Sequence, residues 1–230
     1  MLSAEEWGIV GLSLKVGLVA MLATLPIAFA LAYLLARGRF PGKLLVDAVI
    51  HLPLVVPPVV TGRLLLLLFG RNGPIGGWLE AQFGITLVFR WTGAALAAAV
   101  MALPLMVRAM RLSIEAVDRR LADAARTLGA SRIRAFLTIT LPLSAPGIAA
   151  AVMLGFARSL GEFGATITFA SNIAGQTRTL PLAIYSGLQL PGGEALVTRL
   201  SLISIALSLA ALVVSELLVR RSAGSRAHVL

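Results

Sequence analysis

Ser113-Ile-Glu-Ala-Val-Asp-Arg-Arg-Leu-Ala-Asp-Ala-Ala-Arg-Thr-Leu-Gly-Ala-Ser-Arg-Ile-Arg134 is a charged stretch set between two apolar ones, Thr92 to Val107 before it and Ala135 to Ala157, continuing to about Gly164, after it. Within it Leu121, Ala124, Ala125 and Leu128 recur at i, i+3, i+4 and i+7, the spacing of one helix face, while Asp118, Arg119, Asp123 and Arg126 fall largely elsewhere. Gly129 suits a left-handed helix cap and Ser131 can N-cap a second helix that leads on to Pro142. A short helix, a tight turn and a second helix are therefore predicted. The small alanines on the apolar face let another surface approach closely and contribute little as an isolated core, so the face reads as a knob for a partner.

Composition says what lies around this stretch. The chain has 230 residues, 58% hydrophobic and 13% charged, with a mean hydropathy of +0.93. A soluble domain of this size keeps roughly a quarter of its residues charged, so a membrane is the simplest solvent, and the same figures exclude intrinsic disorder. The absence of cysteine removes disulfides, thiolate nucleophiles and Cys-ligated metals. His51 and His228 are the only histidines, too few for a His-ligated metal centre, and no catalytic constellation or phosphate-binding Gly-x4-Gly-Lys-Ser/Thr loop occurs.

Five apolar runs are long enough to cross a bilayer: Val16 to Ala36, Leu44 to Phe69, Thr92 to Val107, Ala135 to Ala157 and Leu200 to Val219. The first could be mistaken for a signal peptide at Ala28-Phe29-Ala30. Its acidic lead-in, its length and its continuation into Arg37 and Arg39 argue that it is retained. Of the 20 basic residues, 13 fall in the segments Arg37 to Lys43, Arg108 to Arg134 and Arg220 to Arg226, and four (Arg71, Arg90, Arg178 and Arg199) fall opposite. The positive-inside rule then sets the N-terminus outside and the Arg-rich loop and tail in the cytoplasm, with an odd number of spans. The net charge of +10 thus records topology, and nucleic-acid binding is not expected. We expect an all-α, polytopic membrane protein of five transmembrane helices. It forms a single domain over 1–230, with a core of about 10–220 and a cytoplasmic loop at about 112–140.

Asp123-Ala124-Ala125, Gly129, Ile139 and Leu141-Pro142 stand at the spacing Glu-Ala-Ala, three residues, Gly, nine residues, Ile-x-Leu-Pro. In this the chain resembles the permease subunits of binding-protein-dependent ABC importers of the type I fold. It departs from their pattern where Asp123 replaces the usual Glu. The resemblance implies that Asp123, Ala124, Ala125, Leu128, Gly129, Ala130 and Ser131 belong to a coupling helix docked on a cytoplasmic ATP-binding subunit. Phe40-Pro41-Gly42-Lys43, His51 to Val60, Arg108 to Arg111 and Phe156 to Thr166 resemble the molybdate branch, with tungstate and sulfate permeases as close variants. The resemblance further implies an inner-membrane homodimer, two ATP-binding subunits that hold ATP and Mg, and a periplasmic oxyanion-binding protein. No cofactor is expected on this chain. An ion-gradient-driven secondary transporter or a membrane-embedded enzyme would not explain the loop spacing.

Candidate pathway or gate residues come from the membrane runs. Pro53, Pro57 and Pro58 remove amide donors and predict a kinked or unwound second span, tolerated where protein or an aqueous cavity meets the freed carbonyls. Arg158 and Glu162 are four apart and share a helix face if the fourth span runs through them. Glu162 then lies about 30 Å beyond Pro142, near the outer interface. A carboxylate repels a divalent oxyanion, so a gate or helix-locking role is expected for Glu162, with Gly161 and Gly164 allowing close packing. Ser159, Thr166 and Thr168 are weaker candidates as oxyanion hydrogen-bonders. Asp47 and His51, near the cytoplasmic end of the second span, read as interfacial.

Overall fold

A computed structural model describes residues 3–224; Arg226 and His228 of the basic tail lie outside the described residues. Every regular element among the described residues is helical. Helix α1 (Ala4–Arg37) starts well before the expected boundary at Val16, because Ser3 and Glu6 form a capping box that extends it outward. Helix α5 (Trp91–Glu115) likewise continues two turns beyond Val107.

α5 is the central helix, and its alanines explain why. Ala94, Ala95 and Ala98 meet Val16 and Ala20 of α1 in one buried cluster. Further down, Ala102, Met106, Val107, Met110 and Ile114 meet Ala28, Ala32, Leu35 and Ala36. Small residues let two helix backbones approach in a lipid solvent that offers no hydrophobic drive for helix association. In the most apolar window of α5, 61% of residues are buried, against 11% in the last helix, α11 (Glu194–Gly224). The outward side chains of α11, Leu202, Ile205, Leu209 and Leu212 among them, are exposed, as lipid-facing or subunit-facing residues should be.

The second apolar run is broken. Helix α2 (Lys43–Val55) and helix α3 (Pro58–Phe69) meet at an angle of 115°. Val56 and Pro57 each precede a proline, which disfavours the helical region, and two in succession leave both extended, at ψ 138° and 135°. α2 thereby ends and Pro58 opens α3 at its first turn. Among the described residues four helices are long and apolar enough to span a bilayer, and this bent pair makes a fifth if it is one span.

Helix α4 (Pro74–Phe83) lies between α3 and α5, and helix α6 (Arg119–Thr127) follows α5. The fourth long helix runs from Arg132 to Leu160. It consists of α7 (Arg132–Ala135), a π turn (Phe136–Thr140) and α8 (Leu141–Leu160). Pro142 removes the donor that a regular helix would aim at the carbonyl of Thr138, and the widened turn lies directly before it. The helix stops at Leu160, short of the expected Gly164, and short helices α9 (Gly164–Phe169) and α10 (Leu180–Leu188) follow. These short elements lack the length that marks a span in a hydropathy reading.

Candidate functional site

The loop at 112–140 contains the helix its periodicity predicts, α6, with Asp118 as N-cap accepting the Arg120 N–H at 2.9 Å. Its C-terminus closes on Gly129, at φ +93°. The Gly129 N–H donates to Arg126 O and the Ala130 N–H to Ala125 O, both at 3.0 Å, the two bonds of a Schellman ending. Ser131 Oγ then accepts the Arg134 N–H at 3.2 Å and starts α7. No residue of α6 is buried. Leu128, just past its end, is 90% exposed, and Leu121 and Ala124 are also exposed. Asp123 finds its partner within its own helix, 3.6 Å from Arg126, leaving both groups solvated.

Two arginines hold this exposed helix to the membrane segments. Arg37, the last residue of α1, donates to Ile114 O at 3.0 Å and to Val117 O at 2.9 Å. Arg119, the first residue of α6, donates back to Ala36 O at 3.0 Å. These cations at the C-terminal ends of α1 and α5 bond main-chain carbonyls there, Ile114 O accepting from Arg37 in addition to the Val117 N–H at 3.3 Å. Beside them, Arg111 of α5 lies 3.2 Å from both carboxylate oxygens of Asp47 on α2 and 2.8 Å from Glu115. His51 stands 3.3 Å from Asp47. Asp47, His51, Arg108, Arg111 and Glu115 line a cleft of about 290 Å³.

At the other end, Glu162 lies in the break after α8 and not on its helix, which corrects the expected shared face. The ion pair nevertheless forms, Arg158 to Glu162 at 2.7 Å. The second carboxylate oxygen accepts the Ala165 N–H at 2.8 Å, capping α9. Glu162 is 3% exposed, so burial leaves its charge compensated by one cation and one backbone dipole. α9 packs on α3 through glycine: a Cβ on Gly62 would stand 2.7 Å from Ala165 O, and one on Gly164 would stand 2.7 Å from Pro58 Cβ. Gly161 differs from its expected role, because a Cβ there would meet nothing nearer than 4.0 Å. Ser159 and Thr168 donate to Gly155 O and Gly164 O, at 2.8 and 2.9 Å, so their hydroxyl protons serve the helices. Thr166 is buried. Pro57 sits in the bend and Pro58 under Gly164, which brings Pro58, Glu162, Gly164 and the α3–α9 contact into one region, far along the chain from the Asp123 loop.

Residues 24–224 match the family described as binding-protein-dependent transport system inner membrane component. The chain belongs to this family. It is 59% identical over 221 residues to the molybdenum transport system permease protein ModB of Escherichia coli (strain K12), covering 96% of each chain. It is 43% identical over 159 residues to the sulfate transport system permease protein CysT of the same organism, covering 69% of this chain and 57% of that one. Among solved structures, a chain of a bacterial alginate ABC transporter with an alginate pentasaccharide-bound periplasmic protein shares the fold at a TM-score of 0.75. That likeness covers 95% of this chain and 80% of the other at 17% identity. The methionine ABC transporter MetNI in an inward-facing form gives 0.68, covering 94% of each chain at 15% identity. The protein is thus a multi-pass inner-membrane transport component of the ABC permease type.

For this family member, sequence reasoning missed the Arg37 and Arg119 contacts. Their acceptors are main-chain carbonyls, 77 and 83 positions away in the chain, which no side-chain pattern can advertise.

Proposed function

We propose that this chain is the membrane-spanning subunit of an ATP-driven importer that carries a tetrahedral oxyanion, molybdate first, into the cell. The observation that carries the substrate is the 59% identity over 96% of the chain to a molybdenum permease, well above the 43% over a shorter stretch to a sulfate permease. The exposed, self-capped α6 carries the coupling role: Asp123, Ala124, Ala125, Leu128, Gly129, Ala130 and Ser131 form the surface on which a cytoplasmic ATP-binding subunit docks.

The complex contains two copies of the chain, each crossing five times with the bent α2–α3 pair as one span, and the ion path follows the two-fold axis. The N-terminus is periplasmic and the C-terminus cytoplasmic, as the basic residues require. Two ATP-binding subunits hold ATP and Mg, and a periplasmic protein delivers the ion. ATP binding closes the two subunits and draws the two α6 helices together; the membrane halves open outward to take the ion, and hydrolysis resets them. Pro57, Pro58, Arg158, Ser159, Gly161, Glu162, Gly164 and Thr166 form the outer region that opens. Glu162, already neutralised by Arg158 and the Ala165 amide, locks the α8–α9 break without placing a free negative charge before the anion.

The test is uptake of radiolabelled molybdate by the complex reconstituted with its ATP-binding subunit and binding protein, with tungstate and sulfate in excess as competitors. ATP-dependent uptake blocked by tungstate more than by sulfate is the expected result. Stronger inhibition by sulfate reassigns the substrate, and full uptake in vesicles lacking an ATPase removes the ATP-driven mechanism.

A further inference from the structure

Helices α6 and α2 share an unusual feature: α6 buries nothing against the rest of the chain, and α2 buries only Ile50. Apolar packing holds α6 weakly and α2 only through Ile50, with Val46 beside it, against the α1–α5 core, so their polar ties carry a correspondingly larger share of their attachment. Those ties gather where the last turns of α1 and α5 meet, α6 being tied to α1 and α2 to α5. Arg37 bridges Ile114 O and Val117 O at 3.0 and 2.9 Å, and Arg119 joins α6 to Ala36 O at 3.0 Å. Arg111, three residues before Ile114, holds Asp47 of α2 at 3.2 Å. Ser113 Oγ adds a bond to Ser144 O of α8 at 3.0 Å. α2 in turn ends at the 115° bend, beyond which α3 is fixed by its glycine contact with α9.

We infer that Arg37, Arg119 and Arg111 are positioning residues that make α6, the end of α5 and α2 move as one body, so that a displacement of α6 reaches the Val56–Pro57 bend. The inference rests on the coupling role proposed for α6. The crossed pair makes a rigid joint: α6 cannot shift without carrying the last turn of α1 or breaking the Arg119 bond, and α1 cannot shift without carrying the α5–α6 turn. The Asp47–Arg111 pair then transmits the same shift to α2. α2 can turn about the extended residues Val56 and Pro57 only by shifting Ile50 and Val46 against the α1–α5 core, a small contact for a helix of this length. Charge-assisted hydrogen bonds are among the stronger contacts a chain can make between elements, which suits them to carry such a coupling.

The experiment compares Arg37→Ala, Arg119→Ala and Arg111→Gln with wild type in the full reconstituted complex, measuring molybdate uptake and ATP hydrolysis in the same vesicles. Uptake per ATP is expected to fall about tenfold while hydrolysis persists. An unchanged ratio in all three variants overturns the inference, including the case in which uptake and hydrolysis fall together. A second readout does not depend on turnover. Because the chain has no native cysteine, a single spin-labelled thiol at exposed Leu45 on α2 reports the distance between the two copies. That distance should change on ATP binding in wild type and stay fixed in Arg119→Ala. An equal change in Arg119→Ala overturns the joint. A wild-type complex without ATP-driven uptake would instead count against the functional reading itself.

Discussion

The two ends of this molecule solve opposite problems. At one end, α6 is exposed, ends by its own Schellman bonds and is tied to the membrane helices by guanidinium groups reaching main-chain carbonyls. At the break after α8, Glu162 is buried and glycines bring α3 against α9 with no room for a methyl group. The first region is finished but not covered, and the second is covered by its own chain. The contrast suits the roles proposed above: a docking surface must hold its shape without being buried, whereas a gate must be buried to exclude water.

That contrast can be broken at either end. Gly129→Val should have the largest effect on transport. Its φ of +93° costs a branched side chain on the order of 1–2 kcal/mol, and the Schellman bonds that shape the proposed docking surface go with it. Uptake should drop by at least about tenfold with the permease still present in the membrane at normal amount, measured by vesicle uptake and immunoblot. Normal uptake would mean that the ending of α6 does not matter to docking.

Glu162→Ala should act chiefly on stability. It strips Arg158 of its partner and orphans the Ala165 N–H, and because Arg158 keeps 26% of its side chain in contact with solvent the cost should be about 2 kcal/mol. A thermal midpoint for the purified protein that matches wild type would show that the ion pair contributes nothing.

Gly62→Ala and Gly161→Ala sharpen the same comparison. The first places a methyl group 2.7 Å from Ala165 O and should destabilise by about 1–3 kcal/mol, while the second finds open space and should stay within about 0.5 kcal/mol. Equal effects in the thermal assay would show that the α3–α9 contact is looser than its geometry implies.

Much of this was legible in the chain, and what was not has physical reasons. The Gly129 and Ser131 caps follow from interactions within a few residues, so a local reading finds them. The bend at Val56–Pro57 is equally local, since consecutive prolines act on the residues just before them. The ends of α1 and α5 were misjudged because hydropathy marks where apolar residues stop, whereas a helix stops where its capping stops. Gly161 and Gly164 look alike in the sequence; only the presence of Pro58 beside one of them separates their roles. The Arg37–Arg119 crossing was invisible because its acceptors are peptide oxygens, which every residue possesses.

The Schellman closure of α6 has one last consequence, for kinetics. A recognition segment that acquires its shape only in the complex loses conformational entropy at the moment of association. This one has already lost it during folding, so the ATP-binding subunit proposed to dock there would meet a ready handle, with most of the contact energy left for holding on while force is applied.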